Sequence, residues 1–224
     1  MYKVGTLLLI ILSVLTSCQS ITDAGGGEIQ SEDDSLPGES VEAAQAGDKP
    51  MTISIDEKEY LYTFADYPIL SGYVKNFEDP VAQLESLSYR PLLDDQYLIT
   101  FACHGDTCSH LLIDFKQKAS FLLSDLSKLT KMNVSPDQAY ASFLFERKHK
   151  NEPATNQLTV MDLDALQPAS LELENEEQLM PRPNQFQYAI YSMSFVNQDT
   201  LKMESDPSPN STEKDPITTT WMIH

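Results

Sequence analysis

The chain has 224 residues, with 34 acidic against 15 basic side chains and a formal net charge of −19. That balance argues against a nucleic-acid partner, which requires a basic footprint, and against electrostatic docking onto anionic lipid. No Gly-x-Ser-x-Gly, His-Glu-x-x-His or phosphate-loop pattern occurs, so motif reading predicts neither an enzyme nor a cofactor.

The amino terminus carries the first organised segment. Lys3 is the sole charge among the first twenty residues, and an apolar run extends from Val4 to Leu15. A basic start followed by an apolar stretch of this length is the pattern of an export signal. It is too short for a bilayer core, which takes roughly 20 apolar residues. The run ends in Leu15-Thr16-Ser17-Cys18. This resembles the lipobox of bacterial lipoprotein signal peptides: a branched apolar residue, two small residues, then cysteine. The resemblance implies removal of residues 1–17 and a diacylglycerol thioether on Cys18. Two acyl chains, each contributing about 0.8 kcal/mol per buried CH₂, anchor stably where one is marginal. The expected address is therefore the extracytoplasmic face of a cell membrane, held by lipid.

Residues 18–50 are expected to form a disordered acidic tether. They contain no aromatic residue, include Gly25-Gly26-Gly27, and set eight carboxylates against Lys49 alone. Such a segment cannot bury enough apolar surface to offset chain entropy. A short helix over residues 40–46 is the alternative.

Residues 51–224 are expected to fold as one β-rich domain. Residues 51–55 and 59–64 predict an opening hairpin with Asp56-Glu57-Lys58 as its turn. A helix is plausible over residues 79–86. Residues 97–103 (YLITFAC) and 108–115 (CSHLLIDF) are rich in branched and aromatic side chains. They flank His104-Gly105-Asp106-Thr107, which reads as a hairpin loop. A second helix is considered over residues 124–131. Further strands are expected over 140–146, 157–163, 170–173, 188–195, 200–203 and 218–223. Short strands at near-regular spacing specify an all-β fold.

Two units share a layout. One opens at Asp94-Asp95-Gln96 and closes at Ile113-Asp114-Phe115; the next opens at Ser135-Pro136-Asp137-Gln138 and closes at Met161-Asp162-Leu163. A degenerate third begins at Asn197-Gln198-Asp199. The second unit resembles the PD40/TolB-type β-propeller repeat, whose blades open on a Ser-Pro-Asp-Gly turn and carry a later Val-Asp-Leu-like strand; Gln138 stands where that family has glycine. The resemblance implies propeller-like or partial-propeller antiparallel sheets, with a β-sandwich or curved meander as the alternative.

Chemistry-bearing residues concentrate in one place. Cys103, His104, Asp106, Cys108 and His110 lie within eight positions. Thiols and imidazoles suit Zn or Cu, so His104, Asp106 and His110 are metal candidates, and a redox pair is a further reading. Cys-x₄-Cys is neither a zinc-knuckle nor a Cys-x-x-Cys redox spacing. A Cys103–Cys108 disulfide across the hairpin neck is the preferred reading, which leaves no metal site. Asp94-Asp95 and Asp162-x-Asp164 lack the spacing of a calcium loop and read as turn carboxylates. The acidic stretch 172–177 reads as a solvated edge, and Tyr188 and Tyr191 as core aromatics or groove lining. The expected function is a non-enzymatic binding module with a protein or cell-wall component of the envelope as partner; a metal-handling or redox role for the Cys103–His110 hairpin is the alternative.

Overall fold

The computed structural model describes residues 49–148, 153–173, 186, 189–207 and 215–224, all within the compact unit Ala44–His224. Cys18, the acidic tether, His149, Tyr188 and the acidic residues 174–177 lie outside the described residues.

Strands β1 (Met51–Ile55) and β2 (Lys58–Tyr62) pair antiparallel, with Ile55 opposite Lys58. Their alternation puts Ile53, Ile55, Tyr60 and Tyr62 on one buried face. The turn is Asp56-Glu57, one residue shorter than the sequence reading, with φ of 49° and 67°. Two positive φ values match the right-handed strand twist even without glycine. Helix α1 (Pro68–Val74) starts on its proline, and α2 (Pro80–Glu85) follows Asp79. Oδ1 of Asp79 accepts from the amides of Val81 and Ala82 at 3.1 and 3.0 Å, supplying the acceptor that exposed helical N–H groups require. The motif reading found α2 and missed α1, which is too short to show a full apolar period.

The next seven strands form one antiparallel meander: β3 (Ser88–Leu93), β4 (Gln96–His104), β5 (Thr107–Asp114), β6 (Ala119–Val134), β7 (Tyr140–Arg147), β8 (Thr155–Asp162) and β9 (Gln167–Pro168). Strand β6 serves two partners in succession. Residues 119–127 pair with β5, and residues 128–134 pair with β7. The meander is thus two four-stranded sheets sharing one strand. The helix considered over 124–131 is not formed; that stretch is the bend inside β6. Leu126 sits at φ 46°, and the register shifts on both sides of it. A bulged residue in the left-handed region turns a strand without ending it. The mixed polar and apolar pattern of SDLSKLTK imitates a helix because consecutive residues there serve two different sheets.

A third sheet has the order β10-β13-β12-β11, all antiparallel. It comprises β10 (Leu171–Leu173), β11 (Ile190–Phe195), β12 (Thr200–Ser205) and β13 (Ile217–Ile223). Here the outer strand β10 precedes the other three in the chain.

Among the described residues, three apolar cores lie between these layers. The first joins β1, β2 and both helices to Tyr97, Ile99, Phe101, Leu111 and Ile113 of the first sheet. The second joins Leu98, Leu112 and Leu123 to Ala141, Phe143, Phe145 and Met161 of the second sheet. The third joins Leu144, Leu158 and Val160 to Met193, Leu201, Met203 and Trp221 of the third. Alternate residues of β4 and of β7 therefore enter different cores, which explains why these strands read as continuous apolar runs.

The internal repeat is real in backbone terms. Gln96 pairs with Asp114, Tyr140 with Asp162, and Thr200 with Met222. In each unit the next residue donates its amide to the carbonyl just before the opening strand: Phe115 to Asp95 at 3.0 Å, Leu163 to Ala139 at 2.9 Å, Ile223 to Asp199 at 2.8 Å. Asp114 and Asp162 then cap the following turns through Oδ1. Gln138, in the glycine position of the propeller-type turn, has φ 63°.

Candidate functional site

The Cys103–His110 hairpin was the prime chemical candidate of the sequence. Its tip is tighter than a four-residue loop, because His104 pairs with Thr107 and leaves Gly105-Asp106 at the apex. Ala102, with φ 50°, is the extra residue that shifts the register and sets Cys103 opposite Cys108. The two Sγ atoms are 2.15 Å apart, at disulfide distance. His104 and Asp106 are exposed, and Asp106 lies 3.5 Å from the Lys128 ammonium. His110 points the other way, into the protein, at 3% exposure. The structure therefore does not bring His110 to the other two candidates. Among the described residues no group of three His, Cys, Asp or Glu side chains could hold a metal ion.

His110 instead belongs to a buried polar splice around the β6 bend. Its Nε2 lies 3.1 Å from the Ser127 carbonyl, an acceptor, so that nitrogen carries the proton. Nδ1 then accepts from the Thr100 hydroxyl at 3.3 Å, and the ring lies 5.1 Å from Phe145. Ser127 Oγ donates to Ser124 Oγ, which donates to Gln157 Oε1. Ser109 donates to Asp125, and Arg147 donates to the Asp125 carbonyl. Burial holds the His110 pKa below its ordinary value; the Ser127 carbonyl opposes this with a smaller effect.

The calcium candidates are turn carboxylates. Asp94 and Asp95 lie 3.7 and 4.0 Å from Lys58, and Asp95 also accepts from Tyr60. Asp162 caps its turn. Glu172 lies 3.3 Å from the His224 ring.

Sequence reasoning passed over a concave feature on the other side of the second sheet. A cleft of about 450 Å³ opens between the second and third sheets. Leu144 and Ile190 form its buried floor; Lys131, Glu146, Tyr191 and Asp206 stand around it. Asn156 ties the two sheets together beneath it, accepting from the Ile190 amide at 2.9 Å and donating to the Phe145 carbonyl at 3.3 Å. Asn133 repeats the device, donating to the Met193 carbonyl at 3.2 Å. Tyr191 is 56% exposed, and its hydroxyl donates to Asp206. That bond, with a smaller desolvation effect, raises the phenol pKa. An apolar floor with a few polar groups around it is the ordinary make-up of a ligand cleft, and this volume falls in the usual range of about 300–1,000 Å³. The signal in the sequence was faint: Tyr191 alone was marked, and its neighbours come from β6, β7, β8 and the residue just past β12.

The fold defines an all-β protein of stacked antiparallel sheets. No family model matches the chain, and no curated protein does. Among solved structures, the crystal structure of the tricorn protease is similar over 76% of this chain and 16% of that one, at 13% identity and a TM-score of 0.34. The chain thus spans a small fraction of that protein, and a likeness at this level carries no argument about activity. Among the described residues no helix is long and apolar enough to cross a membrane.

Proposed function

We propose that this is a lipid-anchored, extracytoplasmic lipoprotein whose β domain is a non-enzymatic binding module, engaging a protein or cell-wall component of the envelope. The attachment rests on Leu15-Thr16-Ser17-Cys18 behind a basic, apolar leader. We also take the stack as a partial propeller, a reading supported by the three backbone-equivalent units and by the Ser135-Pro136-Asp137 turn.

The observation that carries the binding role is the cleft between the second and third sheets, with Tyr191 held at its rim by Asp206. Aromatic side chains of this kind supply much of the contact energy in recognition surfaces, because their large area is ordered at low entropy cost. The test places a photo-crosslinking residue at Tyr191 in the full chain, in its native envelope. A discrete adduct is expected, absent when the crosslinker is moved to exposed Thr218. Equal labelling from both positions counts against the cleft. Cys18→Ser is expected to release the protein from the membrane fraction; retention there overturns the lipid anchor.

A further inference from the structure

The buried splice at the β6 bend holds a titratable group that the binding role does not use. The bend is where the meander passes from the first sheet to the second. Polar contacts cross it from both sides: His110 and Ser109 from β5, Arg147 from β7, Gln157 from β8. His110 reaches the bend through Nε2, which donates to the Ser127 carbonyl, and reaches β4 through Nδ1, which accepts from Thr100; together these bonds tie β4, β5 and β6. As a neutral imidazole it satisfies both neighbours. A proton on Nδ1 turns that nitrogen into a donor, so the Thr100 hydroxyl must rotate away from its present role. The resulting cation sits at 3% exposure against the Phe145 ring.

The charged groups of the surrounding elements are committed elsewhere. On β6, Asp125 accepts from Ser109 and from the Leu126 amide, and Lys128 faces Asp106. On β7, Arg147 holds the Asp125 carbonyl and lies over Phe186, while Glu146 lines the cleft. His104, at the end of β4, is exposed at the hairpin tip.

We propose that His110 is an acid-sensitive latch: neutral, it holds β4 and β5 against the β6 bend at the junction, and protonation loosens that bend before the rest of the domain. The lowered folded pKa agrees in sign. The unfolded or opened chain binds the proton at the ordinary histidine pKa of about 6.5, the closed junction only at lower pH. Junction stability is therefore full above pH 6.5 and declines as pH falls.

The test is amide hydrogen exchange on the full chain at pH 7.5 and 5.0, corrected for intrinsic rates. Segments 108–115 and 122–128 are expected to lose protection in acid, because the opened bend binds the proton more readily than the closed one, while segment 200–205 does not. His110→Gln, which keeps a donor and an acceptor, is expected to abolish the pH dependence. Unchanged protection at pH 5.0, or the same loss in His110→Gln, overturns the latch. Should the variant fail to fold, the imidazole titration of the native protein by NMR decides: a midpoint below 6.5 sustains the latch, and one at or above 6.5 overturns it.

Discussion

Gln138 shows how a single side chain can sit against its own backbone preference. Its φ of 63° places it in the left-handed region, which costs a non-glycine residue roughly 1–2 kcal/mol. The turn tolerates this because its other bonds are complete: Ser135 Oγ donates to Asp137 and accepts from the Tyr140 amide, and the Gln138 amide reaches the Ser135 carbonyl at 2.9 Å. The Ser135 hydroxyl is the main reason the Asp137 pKa falls below the usual carboxylate range. Gln138→Gly is expected to raise stability by about 0.5–1 kcal/mol, less than the full strain because glycine also loosens the unfolded chain; equilibrium urea denaturation measures it. The tyrosines beneath β1 and β2 give a second residue-scale outcome. Burial pushes Tyr62 up to about 12, against a smaller opposing effect from Ser71, and pushes Tyr60, Tyr67 and Tyr89 higher still. A raised folded pKa means that the neutral phenols stabilise the fold below pH 10, and that this is lost as pH rises through the folded values. Phenolate absorbance from these residues should therefore appear only above pH 11, together with loss of near-ultraviolet circular dichroism. Titration near pH 10 with that signal intact would contradict their burial.

At the scale of elements, the β4–β5 hairpin and the β6 strand make an instructive pair. The hairpin was legible because its flanking runs are β-branched and aromatic and its tip carries Gly105 at φ 67°. The bridge between Cys103 and Cys108 closes a loop of sequence separation 5, so chain-entropy reasoning assigns it about 2 kcal/mol. The Cys103→Ala/Cys108→Ala variant is expected to lose about that amount in urea denaturation, with the fold and the third sheet intact. Loss of all structure would mean that the hairpin neck supports far more than its own register. Strand β6 was illegible for a physical reason. Its first half pairs with β5 and its second half with β7, with a bend and register shifts between them, so neither a period of two nor one of 3.6 runs through it. Ser124 and Ser127, which look like solvent-facing residues in sequence, are 6% and 0% exposed because they bond to Gln157 and to each other.

For the whole molecule, each sheet buries its faces mainly against its neighbours, as in repeat architectures. Cooperativity then depends on the ties between layers. Gln96 Nε2 donates to Asp114 at 2.8 Å and to the Leu163 carbonyl at 2.7 Å, joining the closing turns of the first two units. Asn133 and Asn156 join the second sheet to the third. These ties predict that the sheets unfold together. Trp221, the single tryptophan, lies fully buried in the third core and reports on that sheet alone, whereas far-ultraviolet circular dichroism reports on all of them. The two urea transitions are expected to superimpose; an earlier fluorescence transition would show the third sheet melting independently. The same layering decides where a partner has room: the cleft lies between the second and third sheets, which meet through two asparagine bridges as well as apolar packing.

The sequence alone determined what depends on neighbours along the chain. Strand type, the opening hairpin, the Asp79 helix start and the repeated turn units all follow from side-chain shape and local hydrogen bonding within a few residues. It also set the strongly acidic character and marked Cys103 and Cys108 as facing each other across a short hairpin. Only the tertiary structure decided which strands share a core, because β4 and β7 are apolar on both faces and their sequence cannot say which face meets which neighbour. It alone separated His110 from His104 and Asp106, since β5 is buried on both faces while the hairpin tip stands in water. The cleft, too, is a tertiary product: Lys131, Glu146, Tyr191 and Asp206 come from separate elements and meet because the second and third sheets stack with a gap between them.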